Sequence, residues 1–152
     1  MQQIIIGCDD AAVVFKNEIR KFLEKSGYAV EDVGVFEESD TTFYPQIAAE
    51  VCKKIIDSSF CKKGILICGT GIGMAITANK YKGIRAAVCH DRYSVQRSRR
   101  SNDCNVICMG ARIVGLEYAK LLVSEWLTLP FHDGKSTPKI EKIREIEQHN
   151  MK

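Results

Sequence analysis

The sequence lacks any C-x-x-C pair, which removes the commonest redox and metal-binding uses of cysteine in a short chain. Seven cysteines occur (Cys8, Cys52, Cys61, Cys68, Cys89, Cys104 and Cys108), an odd number that no closed disulfide framework uses up. Cys104 and Cys108 lie nearest together, with no histidine at finger spacing, so no metal site is expected. Apolar runs long enough for a transmembrane helix are also missing. Met1-Gln2-Gln3 leads straight into Ile4-Ile5-Ile6, too short for a secretory signal and without a cationic start or a cleavage site. The expectation is a cytoplasmic protein with reduced thiols, most of them acting as small core groups.

Charge of one sign is scarce too. Lys and Arg number 22 against 19 Asp and Glu, leaving +3 with no block of like charges. That excludes a nucleic-acid arm or a membrane-surface helix. The densest basic cluster, Arg97, Arg99 and Arg100, reads as a solvated helix face or a small-anion site. With 152 residues, the chain supports a single domain over 1–152 and one well-buried core.

The apolar pattern alternates between short runs and helical stripes. Strands are expected at Gln3 to Cys8, Tyr28 to Val33, Gly64 to Cys68, Arg85 to Cys89 and Asn105 to Met109. Between them, Phe15, Ile19, Phe22 and Leu23 mark a helix that ends near Lys25. Ile47, Ala48, Val51, Cys52 and Ile55 mark another, with Pro45 in its first turn. Further helices are expected from the Gly69–Gly73 corner to about Lys82, from Asp91 to about Ser101, and over Leu116 to Leu127. A charged last helix, 138 to about 148, carries Ile140, Ile143 and Ile146. The alternation implies an α/β fold: a Rossmann-like doubly wound sandwich, a five-stranded parallel sheet flanked by helices. In such sheets ligands bind beyond the carboxyl ends of the strands. Cys8-Asp9-Asp10, Cys68 to Gly73, His90-Asp91 and Gly110 to Arg112 all fall there.

The corner Gly69-Thr70-Gly71-Ile72-Gly73 is neither a dinucleotide fingerprint nor a P-loop, because Met74-Ala75-Ile76 stands where each motif needs its last residues. It remains a tight turn presenting backbone N–H groups, suited to an anion or a developing oxyanion. Cys68 stands directly before it. A thiol so placed is expected to have its pKa lowered from about 8.5 towards neutrality. Such a base takes the acidic proton beside a sugar carbonyl while the N–H groups hold the enediolate. The plain alternative is a buried cysteine that merely ends a strand.

A resemblance bears on that choice. Gly64-Ile-Leu-Ile-Cys68-Gly-Thr-Gly-Ile-Gly73-Met, with Ala78-Asn79-Lys80 and Gly83-Ile-Arg85-Ala86-Ala87, closely resembles the signature of the type B ribose-5-phosphate isomerases, shared by galactose-6-phosphate and allose-6-phosphate isomerases. The likeness extends through Gly7-Cys8-Asp9, Tyr44-Pro45, Ser101-Asn102-Asp103, Gly110-Ala-Arg112-Ile-Val-Gly115 and Lys139 to Glu147. It implies a homodimer or homotetramer with active sites at the subunit interface, the last helix contacting a partner. It implies no cofactor and no metal, and neither a nucleic acid nor a membrane as partner. Cys68 would be the base, with Thr70 beside it, and Gly69, Gly71, Ile72 and Gly73 would cradle the enediolate. Asp9 and Tyr44 would meet the sugar, with Asn102 beside the position of the ring-opening histidine that Ser101 fills. Arg112, Lys135 and Lys139 would hold the phosphate, where Asp10 replaces an imidazole and should repel a dianion.

Three departures accompany the likeness. The family's Asp-His is Asp9-Asp10 here, its ring-opening histidine is Ser101, and its Gly-Arg-His-x-x-Arg is Gly134-Lys135-Ser136-Thr137-Pro138-Lys139. Lysine keeps the charge but lacks the bidentate fork. His90 is a candidate substitute acid or a merely structural histidine. The default substrate is ribose 5-phosphate, isomerised to ribulose 5-phosphate. The alternatives are allose 6-phosphate, galactose 6-phosphate, an unphosphorylated aldose, or a catalytically impaired sugar-binding paralogue.

Overall fold

The computed structural model describes residues 2–152. Five strands form one sheet: β1 (Gln3–Cys8), β2 (Ala29–Asp32), β3 (Lys63–Cys68), β4 (Ala86–Val88) and β5 (Val106–Gly110). Their order is β2-β1-β3-β5-β4, and every pairing is parallel. Beyond their first residues, Gln3 and Lys63, β1 and β3 are apolar and buried, as is the whole of β5, which a parallel sheet between helical layers requires. On one side α1 (Val13–Lys25) packs on α5 (Leu116–Thr128), which packs on α4 (Arg92–Arg100). On the other, α2 (Tyr44–Asp57) packs on α3 (Ile72–Ala78). The expected doubly wound sandwich is the observed one. No helix among the described residues is long and apolar enough to cross a membrane.

Local signals explain most boundaries. Asp91 caps α4 by accepting from Ser94 N at 2.8 Å. Pro45 occupies the first turn of α2, and Gln46 reaches back to Phe43 N–H. The helix after the glycine corner is shorter than expected, ending at Ala78 rather than near Lys82. Its stop is Asn79, whose side chain accepts from Ala86 N at 2.8 Å and donates to Ala86 O at 2.9 Å. Those bonds tie the chain to β4 and turn it out of the helix.

The basic cluster on α4 also differs from expectation. Arg99 is buried, donating to Asp103, to Cys104 O at 2.6 Å and to Leu129 O at 3.1 Å. Lys16 is fully buried as well, bonded to Asp32 and to Val35 O, each at 2.8 Å. The last helix, α6 (Thr137–Asn150), buries Ile140 and leaves Ile143 and Ile146 exposed.

Candidate active site

The sheet order sets where a ligand fits. After β1 the chain steps to one side, to β2; after α2 it returns to the other side, to β3. The crevice of such a reversal opens between the carboxyl ends of β1 and β3. Asp9 follows β1 and Cys68 ends β3.

Around Cys68 the backbone is closely tied. Ala111 N donates to Cys68 O at 2.9 Å and Arg112 N to Gly69 O at 3.1 Å, so the segment after β5 wraps the corner. Gly71 N then donates to Cys68 Sγ at 3.1 Å. Cys8, Cys52 and Cys61 instead direct their sulfurs at carbonyl oxygens. Among the described residues, Cys68 is the cysteine that receives a backbone N–H.

That contact depends on Gly71, whose φ of +81° lies in the left-handed region. A Cβ at Gly71 would also stand 2.9 Å from the Met109 backbone. Thr70 is exposed, and its hydroxyl oxygen accepts from Ile72 N at 3.3 Å. The first helical bond of α3 is Ala75 N to Gly71 O; with Gly71 N on Cys68 Sγ and Ile72 N on Thr70, the N–H groups of Gly73 and Met74 remain for a ligand or water.

Side chains enclose the corner. The Tyr44 ring lies on Gly73, where a Cβ would come within 2.1 Å of it. The Arg112 guanidinium lies on Gly69. Asp9 caps the turn after β1 by accepting from Ala11 N at 3.1 Å. Burial raises the pKa of its carboxyl, Asp10 adds to the rise, and the Arg112 charge opposes it. Asp10 itself is exposed. Asp9, Asp10 and Tyr44 line a cleft of about 360 Å³ together with Thr41, Thr42 and Phe43. Those last three were not legible in the sequence, since a polar loop carries no periodicity to aim it. Ile72 is exposed at the rim.

The remaining candidates lie elsewhere. His90 Nε2 accepts from Gly110 N at 2.8 Å, so this lone pair holds the end of β5 and is not free for acid–base work. Burial lowers its pKa, with Asp91 opposing. Ser101 and Asn102 stand where α4 ends, both N–H groups on Arg97 O. Next to them Asp103 and Asn105 bond Arg85, and Asn105 O accepts from Gly64 N, at the amino edge of the sheet. A single chain therefore does not bring Ser101 and Asn102 to Cys68. Lys135 and Lys139 are exposed, on the connection after Leu129 and in the first turn of α6, and neither lines the Asp9–Tyr44 cleft. The set divides in two, with Asp9, Asp10, Tyr44, Cys68 to Gly73 and Arg112 in one group.

Comparison with known proteins places this arrangement in a family. The model described as Ribose/Galactose Isomerase matches residues 4–143. The D-erythrulose-4-phosphate isomerase 2 of Mycolicibacterium smegmatis is 51% identical over 144 residues, covering 93% of this chain and 94% of that protein. The D-erythrulose-4-phosphate isomerase of Pectobacterium atrosepticum is 47% identical over 143 residues, covering 94% and 93%. Among solved structures, the ribose-5-phosphate isomerase B of Clostridium thermocellum superposes with a TM-score of 0.92 at 41% identity, covering 97% of this chain and 99% of that one.

Proposed function

The chain belongs to the ribose/galactose isomerase family, and on that premise we propose that it interconverts D-erythrulose 4-phosphate and D-erythrose 4-phosphate by proton transfer at Cys68. The observation that carries the chemistry is the Gly71 N–H held on Cys68 Sγ at the mouth of the β1/β3 crevice. In the ketose-to-aldose direction the Cys68 thiolate takes a proton from C1, breaking a C–H bond and forming S–H. The electron pair moves into a cis-enediolate whose oxygen faces the unoccupied N–H groups of the corner. The thiol returns its proton to C2, and a hydroxyl proton passes between O1 and O2. Neither electrons nor atoms are exchanged with a cofactor.

Ser101 supports the four-carbon substrate. In ribose 5-phosphate the free C4 hydroxyl closes a ring onto C1, and the sugar must be opened before C2 can be reached. A four-carbon sugar esterified at O4 has no hydroxyl left to close that ring. An imidazole is a competent acid near neutral pH and a serine hydroxyl is not. The resemblance put a ring-opening histidine where Ser101 stands, and its loss costs nothing on an open-chain substrate. The two relatives named for D-erythrulose 4-phosphate agree with this reading. Ribose 5-phosphate is the second reading, favoured by the near-complete superposition on the Clostridium enzyme.

We place the second group of residues on a second copy of the chain. Phe43, Ile72, Ile76, Tyr93 and Ile113 are exposed apolar side chains that a partner subunit would cover. Such a partner would bring its own Ser101, Asn102, Lys135 and Lys139 towards Cys68, completing the sugar and phosphate contacts. The test of the substrate is a comparison of kcat/KM on D-erythrulose 4-phosphate and ribose 5-phosphate. A ratio of about tenfold or more for the four-carbon sugar is expected, and a preference for ribose 5-phosphate would reverse the order of the two readings.

A further inference from the structure

A second cavity, of about 500 Å³, opens at the amino edge of the sheet between the starts of β3 and β5 and beneath the far half of α6. Five cations line it, Lys63, Lys82, Arg85, Arg99 and Arg144, against two carboxylates, Asp103 and Glu147. The excess of three equals the net charge of the whole chain.

The carboxylates are already engaged. Asp103 accepts from Arg85 Nη2 at 3.0 Å and from Arg99 Nη1 at 3.1 Å. Glu147 accepts from Gly83 N at 2.5 Å, which ties α6 over the cavity. Arg144 is paired outward with Glu141. Among the described residues no carboxylate pairs with Lys63 or Lys82. Lys63 is the more confined: its ammonium lies 5.5 Å from the Trp126 ring, with the Arg99 guanidinium over the same ring at 6.0 Å. Two cations thus lie over one aromatic ring, and Asp103, the carboxylate near them, is already bonded to Arg99. Burial and the Arg99 charge push the Lys63 pKa down to about 8. At neutral pH it stays mainly charged, at a cost that a bound anion removes.

We propose that this amino-edge cavity is an anion site for a small phosphate-bearing molecule, held by Lys63 with Lys82 and Arg144 and separate from the Cys68 cleft. Phosphate matches the geometry because its several oxygens take an ammonium and a guanidinium together. A space of about 500 Å³ is the size of a small ester. Asp103 directly follows Ser101-Asn102, so an occupant that draws on Arg85 and Arg99 also acts on that turn.

The site is tested by calorimetric titration of the full chain with inorganic phosphate and, separately, glycerol 3-phosphate. Both are expected to bind, equally if the phosphate group alone is recognised and the ester more tightly if an organic molecule is the occupant. In the double variant Lys135→Met with Lys139→Met, which removes phosphate contacts proposed for the site at Cys68, binding at the amino-edge cavity is expected to remain, and adding Lys63→Met should weaken that remaining binding about tenfold or more. No heat with either anion, loss of binding in the double variant, or binding there that the added Lys63→Met leaves unaffected overturns the proposal. Should Lys63→Met fail to fold, the Lys63 Cε resonance of the unaltered protein serves instead. Its titration midpoint rises in saturating phosphate if the anion sits there, and an unmoved midpoint contradicts the assignment.

Discussion

Burial pushes the thiols of Cys8, Cys52 and Cys104 up to about 12, that of Cys89 to about 11, and that of Cys108 well above its ordinary value. These sulfurs stay protonated at neutral pH and pack as small apolar groups. Cys68 differs in its contact and its address, at the mouth of the crevice with a backbone N–H on sulfur. Its neighbours in sequence, a strand run followed by three glycines in alternation, make it legible from the sequence alone. Ser101 was legible only as a departure, and its meaning came from the chemistry of the sugar. Replacing Ser101 by histidine should therefore raise kcat/KM on ribose 5-phosphate by roughly tenfold or more, the low end of general-acid effects. The four-carbon rate should move little. An unchanged ribose 5-phosphate rate in steady-state assays would remove Ser101 from the account of specificity. Lys16 and Arg99 were not legible, because a buried cation depends on partners distant in sequence, Asp32 and Val35 O for one and Leu129 O for the other.

Strand and helix periodicity gave the order of elements, because burial on both faces of β1, β3 and β5 writes unbroken apolar runs. It did not give the end of α3, where a side-chain clasp from Asn79 to β4 overrides an apolar pattern that continues. Nor did it assign His90, whose Nε2 holds the end of β5 through Gly110 N. That bond needs the neutral ring, and burial lowers the folded-state pKa below the unfolded value of about 6.5. The unfolded chain thus binds the proton more readily. The stability His90 contributes is present above about pH 6.5 and is lost as pH falls through that value. His90→Gln keeps an acceptor and cannot titrate. Its urea midpoint should change less than the unaltered protein's between about pH 7.5 and 5.5, and parallel curves would show that His90 does not carry the dependence.

At the scale of the molecule, the fold gathers one group of site residues at the carboxyl edge of the sheet and leaves Ser101 and Asn102 at the amino edge. Topology could be read from the alternation of elements and carries this separation with it, because a helix joining the parallel strands β4 and β5 ends at the amino edge. The alternation carries no sign of which surface a second chain would cover. In the proposed symmetric pair of chains the two groups would meet twice. Cys68→Ala and Asn102→Ala chains, each inactive alone, should therefore recover about a quarter of full activity when mixed and reassembled, as one intact site in each mixed dimer requires. Mixtures as inactive as their components would put both groups to work in one chain. The central claim, that Cys68 moves the proton, is tested most directly by kcat/KM on D-erythrulose 4-phosphate for the unaltered protein and for Cys68→Ala. The account predicts turnover by the first and a loss of about a thousandfold or more in the second. Retention of activity within about tenfold in Cys68→Ala would contradict it.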